Sequence, residues 1–132
     1  MPNSTIAAQR LAATAKALAA CCRENRTDEG LDALYADDVV SVEPVSPTGG
    51  GPRTTIGLEA LRDKHAVWFK AVELHDCRCE GPFYNGEDRF GLIFSTEAAF
   101  RATGEPNNSR ELAIYTVNDE GRIVREEFFE DV

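Results

Sequence analysis

Four titratable side chains, Glu43, His75, Glu111 and Glu126, fall where the alternation of apolar and polar neighbours turns them toward the inside of a sheet. Carboxylates crowded into a dry cavity repel one another and lose hydration, so one is held protonated beside another that stays ionised. That makes a general acid next to a general base, a combination suited to moving a proton on a carbonyl compound. Trp68, Phe94, Tyr115 and Phe128 fall on inward faces as well and supply aromatic walls for a small hydrophobic or aromatic ligand. Glu43 has the most specific setting, because Pro44 behind it keeps the chain extended and holds the carboxylate at a rim. A competing reading pairs Glu111 and Glu126 with Arg110, Arg122 or Arg125 on a solvated face, and a slip of one residue exchanges Glu126 for Glu127. His75 shares its strand face with Cys77 and Cys79 and reads either as a hydrogen-bonded core residue or as a ligand contact. Alternate strand residues lie about 7 Å apart, so His75, Cys77 and Cys79 do not easily share one ion. No spaced Cys or His elsewhere completes a tetrahedral site, and neither a metal nor a cofactor is expected.

The elements that must carry these residues are readable from periodicity. Residues 4 to 24 read as an alanine-rich helix capped by Asn3 or Ser4, with Ile6, Leu11, Ala15 and Leu18 as a narrow apolar stripe. Thr27 or Asp28 caps a short second helix through Tyr35, with Leu31 and Leu34 inward. Val39 to Glu43 is a first strand, and Pro44 to Thr55, with its run of glycines, reads as an irregular flap that controls access. A third helix runs from about Gly57 to Val72, with Leu58, Leu61, His65, Trp68, Phe69 and Val72 at helical spacing and His65 read as packing. From residue 73 the period changes to two, with turns at Asn85-Gly86, Gly104 to Asn108 and Asp119 to Gly121, and four antiparallel strands follow. On the last of them Val124, Glu126 and Phe128 oppose Ile123, Arg125, Glu127 and Phe129. Both faces of the last two strands carry apolar side chains, so the outer face is a candidate for burial against a second copy.

Composition narrows the class. A chain of 132 residues is one domain's worth, spanning 1–132 without a linker. A net charge of −9 argues against nucleic acid or an anionic membrane, since polyanion binding needs clustered Lys and Arg. Leu18-Ala-Ala-Cys21 mimics a lipoprotein cleavage box, but Arg10 and Lys16 interrupt the apolar run that such a signal needs, so export is not expected. Cys21-Cys22 and Cys77-x-Cys79 do not look like a disulfide framework, and reduced thiols in the cytoplasm are expected.

Helices, a strand, a helix and then an antiparallel meander make an α+β arrangement. The segment Ala33 to Pro44, the helix start Gly57-Leu-Glu-Ala-Leu61, the entry Val72-Glu-Leu-His75 and the ending Tyr115 to Phe129 resemble the SnoaL-like branch of the nuclear transport factor 2-like superfamily. The resemblance implies a cone-shaped α+β barrel, with N-terminal helices packed in the concave face of a curved, mostly antiparallel sheet, that usually dimerises. It is a poor guide to activity, because the superfamily holds isomerases, cyclases, epoxide hydrolases, dehydratases and binding proteins. Counting from the shared Ala-Asp-Asp and Pro of ketosteroid isomerases implies a general base at Glu43, while their oxyanion donors fall near Ala19 and at Ala113, which cannot donate. Nor does an Arg stand between two strand acids, as the epoxide hydrolases require. The expected function is therefore a lyase, isomerase or cyclase type of acid–base enzyme acting on a small hydrophobic carbonyl compound. The alternatives are a binding protein without turnover and a dimeric interaction module.

Overall fold

The computed structural model describes residues 5–46, 51–130 and 132. Helix α1 spans Ile6–Arg23, α2 Thr27–Leu34 and α3 Leu58–Ala71; strands β1 to β6 are Tyr35–Val42, Thr54–Ile56, Val72–Asn85, Arg89–Phe100, Ser109–Val117 and Ile123–Phe129. Together they form the expected cone-like α+β fold, in which the helices pack on a curved, unclosed sheet.

Alanine, the strongest helix former, dominates α1. Its cap is Thr5, not the expected Asn3 or Ser4, which lie outside the described residues; the Ala8 amide donates to the Thr5 hydroxyl at 3.1 Å. Leu11, Ala15 and Leu18 are buried as the stripe predicts, while Ile6, one turn short of the sheet, stays 65% exposed. Small Ala15 and Ala19 let the helix backbone approach the sheet closely. Two bonds tie α1 to the β5–β6 turn: Thr14 Oγ1 donates to the Gly121 carbonyl at 2.6 Å, and Arg10 Nη1 to the Asp119 carbonyl at 2.7 Å. Gly121 has a φ of +81°, and a Cβ there would meet Arg10 Cβ at 3.1 Å, so both conformation and space favour glycine.

The expected caps of α2 are not used. Its N-cap position is Arg26, whose side chain makes no capping bond and instead pairs with Glu24 and Glu29. The helix also stops one residue early: Tyr35 begins β1, four residues ahead of the strand start read at Val39. Pairing with β6 explains the shift, because Tyr35 already lies opposite Ile123 in a parallel ladder.

The sheet has six strands in the order β2-β1-β6-β5-β4-β3, antiparallel except between β1 and β6. Strand β2 was expected to be irregular chain; Thr54, Thr55 and Ile56 pair with Val42, Ser41 and Val40. Residues 47–50 of the expected flap lie outside the described residues. The concave face and the helices enclose Leu11, Leu31, Val39, Leu61, Phe90, Leu92, Ala113 and Ile123, each no more than 2% exposed. Burial of each such large aliphatic or aromatic side chain contributes about 1.5–3 kcal/mol.

Of four register shifts in the sheet, two re-aim side chains expected at the site. Leu74 pairs with Ala98 and Asp76 with Glu97, leaving His75 as the extra residue in β3. Leu74 and Cys77 therefore point into the cone, and His75 stands outside it. In β6, Val117 pairs with Ile123 and Thr116 with Arg125, so Val124 is the extra residue. Ile123, expected outward, is buried, and Glu126 keeps its expected inward direction.

Candidate acid–base cavity

A cavity of about 710 Å³ opens between α3, the end of β1 and the concave face of β3 to β6. Its apolar wall is built by Trp68 and Phe69 from α3, with Leu74, Phe94 and Phe128 from the sheet. The Trp68 and Phe69 rings meet edge to face at 4.9 Å, which fixes both orientations. At the other end Thr96, Asn107, Asn108 and Ser109 line a polar mouth.

Three acids line the space between, Glu43, Glu111 and the exposed Glu130. Glu43 follows the last residue of β1, where its amide donates to the Arg53 carbonyl at 2.8 Å and Arg53 Nε donates to its carbonyl at 2.9 Å. Lys64 Nζ, on α3, donates to Glu43 Oε1 at 2.7 Å and to Ser41 Oγ at 3.0 Å. The side chains of this ion pair are only 16% and 22% exposed, so water screens it less than an ordinary surface pair. Glu111, on β5, has no such cation. Burial, followed by repulsion from Glu43 and Glu130, pushes its carboxyl up to about 7, against a smaller pull from Lys64.

Behind the cavity floor lies a further acid. Glu126 is 1% exposed and does not reach the cavity surface. Tyr35 donates its hydroxyl hydrogen to Glu126 Oε1 at 2.5 Å, and Ser41 donates to Oε2 at 2.6 Å. Burial raises the Glu126 carboxyl despite those two bonds, which favour its charged form. The chain Tyr35–Glu126–Ser41–Lys64–Glu43 thus links a buried carboxyl to the cavity through direct polar contacts.

Of the residues expected at the site, Glu43, Glu111, Trp68, Phe94 and Phe128 line the cavity. Tyr115 is 2% exposed and stacks on Phe90 at 4.8 Å beneath the wall, so it packs instead of lining. His75 is turned away by the bulge, with Glu73 Oε1 3.6 Å from its Nε2. The rival pairing of the acids does not occur: Arg110 bonds Glu80, Arg125 bonds Glu127, and Arg122 donates to the carbonyls of Ala33 and Tyr35. His65 lines the cavity although only packing was expected of it. Burial, with Lys64 adding, lowers it to about 4, so its imidazole is neutral at physiological pH.

Sequence reasoning missed Lys64, Ser41 and Tyr35. Lys64 falls three residues after Leu61 and four before Trp68, inside the apolar stripe of α3, and a lone cation in such a stripe was the available signal. Ser41 was marked by alternation between inward Val39 and Glu43. Tyr35 carried no signal while it was read as a helix end. Among the described residues no three His, Cys, Asp or Glu side chains cluster so as to hold a metal ion.

The helix-filled curved sheet is shared with structures described as nuclear transport factor 2-like, among them one from Anabaena variabilis at a TM-score of 0.71 and 13% identity over 100% of this chain and 95% of its own. Residues 6–130 match the SnoaL-like domain, and the chain belongs to that family. A Mesorhizobium loti protein described as a candidate SnoaL-like polyketide cyclase is 33% identical over 89% of this chain and 97% of its own, with a TM-score of 0.80. A Mycobacterium tuberculosis protein solved with estradiol-17β-hemisuccinate superposes at a TM-score of 0.74, at 21% identity over 93% of this chain and 95% of its own. The Δ5-3-ketosteroid isomerase of a Mycobacterium species follows at 0.66 and 23%, over 92% and 93%. No curated protein matches the chain significantly.

Proposed function

We propose that this protein is an acid–base enzyme of the lyase, isomerase or cyclase type, moving a proton on a small hydrophobic carbonyl compound held against Trp68, Phe94 and Phe128. The observation that carries the reading is the contrast between two acids in one cavity. Glu43, paired with Lys64, is the base that takes a proton from the carbon beside the carbonyl; Glu111, whose carboxyl holds its proton up to about pH 7, returns one. Ala19 and Ala113 are buried and offer no donor to an enolate oxygen, so the Lys64 ammonium and the Glu111 carboxyl take that part.

Exchange of the carbon-bound proton tests this. A panel of cyclic enones and diketones is incubated with the protein in deuterium oxide and followed by proton NMR, while quenching of Trp68, the sole tryptophan of the chain, reports occupancy of the cavity. Wild type is expected to accelerate exchange for compounds that quench, and Glu43→Gln to abolish exchange yet still quench. Equal exchange by both proteins removes Glu43 from the mechanism. Quenching without exchange by wild type favours the second reading, binding without turnover, for which the aromatic wall alone suffices.

The reading extends to a homodimer formed through the outer sheet face and to a cytoplasmic setting. Ile93, Leu112 and Phe129 lie in one cross-strand row and Ile114 in the next, supporting the first. The free thiols of Cys21, Cys22, Cys77 and Cys79 support the second.

A further inference from the structure

Glu126 lies behind the cavity, and the proton transfer proposed above gives it no part, yet both of its oxygens are held by hydroxyls from β1. The parallel register sets Ser41 beside Glu126 on the neighbouring strand. The direction of each bond follows from the donors. An ammonium only donates, so Ser41 Oγ accepts from Lys64 at 3.0 Å and turns its own hydrogen to Glu126 Oε2 at 2.6 Å. Tyr35 gives its hydroxyl hydrogen to Oε1 at 2.5 Å. With a donor at each oxygen the carboxyl serves as an acceptor only, the form it has when ionised. Burial pushes that carboxyl up, while the bonds from Ser41 and Tyr35 and the charge of Lys64 pull it back. Among the described residues no Lys, Arg or His pairs with Glu126 directly, and the cation it meets is Lys64, one hydroxyl away. The Lys64 ammonium therefore stands between two carboxylates, Glu43 in direct contact at 2.7 Å and Glu126 through Ser41.

We propose that Glu126 is a positioning residue that, acting through Ser41, keeps Lys64 at the cavity while Glu43 carries the substrate's proton. This rests on the acid–base reading. When Glu43 takes that proton, the C–H bond breaks, its electron pair moves onto the carbonyl oxygen and Glu43 becomes a neutral acid. The pair with Lys64 thus loses its charge attraction at the moment the ammonium is needed beside the new negative oxygen. A lysine stem is flexible, and Glu111 and Glu130 also line the cavity, so an ammonium held by Glu43 alone would be free to leave. The second arm does not change during the step. Glu126 does not reach the cavity surface, and Ser41 at 0% exposed and Glu126 at 1% are shielded from water, so the attraction along this arm is weakly screened.

The test is competitive acetylation of the whole protein. Trace acetic anhydride labels the folded chain, and deuterated anhydride completes the labelling after unfolding. Trypsin, then cutting only after arginine, releases peptide 63–78, which holds both Lys64 and Lys70. Fragmentation gives the rate at Lys64 relative to exposed Lys70. Glu43→Gln stands in for the base once it has taken up its proton. Lys64 is expected to stay slow in Glu43→Gln and to speed up about tenfold when Ser41→Ala or Glu126→Gln is added, the factor lost with a hydrogen bond to a charged group. Trp68 emission reports whether each variant is folded, and Ser41→Ala carries the test should Glu126→Gln not fold. Ser41→Ala alone is also expected to slow proton exchange at unchanged Trp68 quenching. Absence of exchange in wild type strikes the acid–base reading, while the labelling still decides whether Ser41 and Glu126 hold Lys64. Release of Lys64 by Glu43→Gln alone, or no further release on adding either substitution, overturns the proposal.

Discussion

Glu111 gives the protein a pH dependence opposite in sign to that of an ordinary paired carboxylate. Its carboxyl titrates near 7 in the folded chain against 4.5 for a free glutamate, so the folded state holds the proton more tightly. The stability this contributes is complete below pH 4.5 and is lost as pH rises through about 7. Glu126, raised by burial, acts in the same direction. Wild type is expected to lose melting temperature across that window, and Glu111→Gln, which cannot ionise, to flatten the loss measurably. Parallel curves for the two proteins would show that Glu111 titrates normally. The acids were legible as inward residues because strand alternation is local. The state of each was not, because it depends on a lysine from another element and on water excluded by α3.

At the scale of elements, the bulges at His75 and Val124 mark where local pattern and sheet pairing part company. Along β3 the alternation His75, Cys77, Cys79 reads as one face, yet the extra residue at His75 resets the phase before Cys77. The consequence is a control: His75→Ala is expected to leave cavity occupancy, read by Trp68 quenching, and proton exchange at wild-type levels. A loss of either would place His75 back at the site. The Val124 bulge likewise turns Ile123 into the core while leaving Glu126 and Phe128 inward. Helices α1 and α3 were legible almost to the residue from apolar spacing. Strand β2, three residues long, has no period of its own, and its pairing with β1 alone makes it a strand.

For the whole molecule, the proposed dimer rests on the outer sheet face. Ile93, Leu112 and Phe129 form a cross-strand row, and Ile114 lies beside it opposite Gly91. Sedimentation is expected to give a dimer for wild type and a folded monomer for Leu112→Glu, because a charge in the middle of that row is costly to bury. A wild-type monomer ends the dimer reading. Taken alone, the sequence determined the fold class, the order of the principal elements, the acidic character that disfavours polyanions, and the inward direction of Glu43, Glu111 and Glu126. Each of these follows from periodicity, composition or resemblance along the chain. Only the tertiary structure decided that Lys64 clamps Glu43, that Glu126 sits behind the cavity and that His75 lies outside it. Those facts depend on residues far apart in the chain being brought together by strand register and helix packing, which no local pattern encodes.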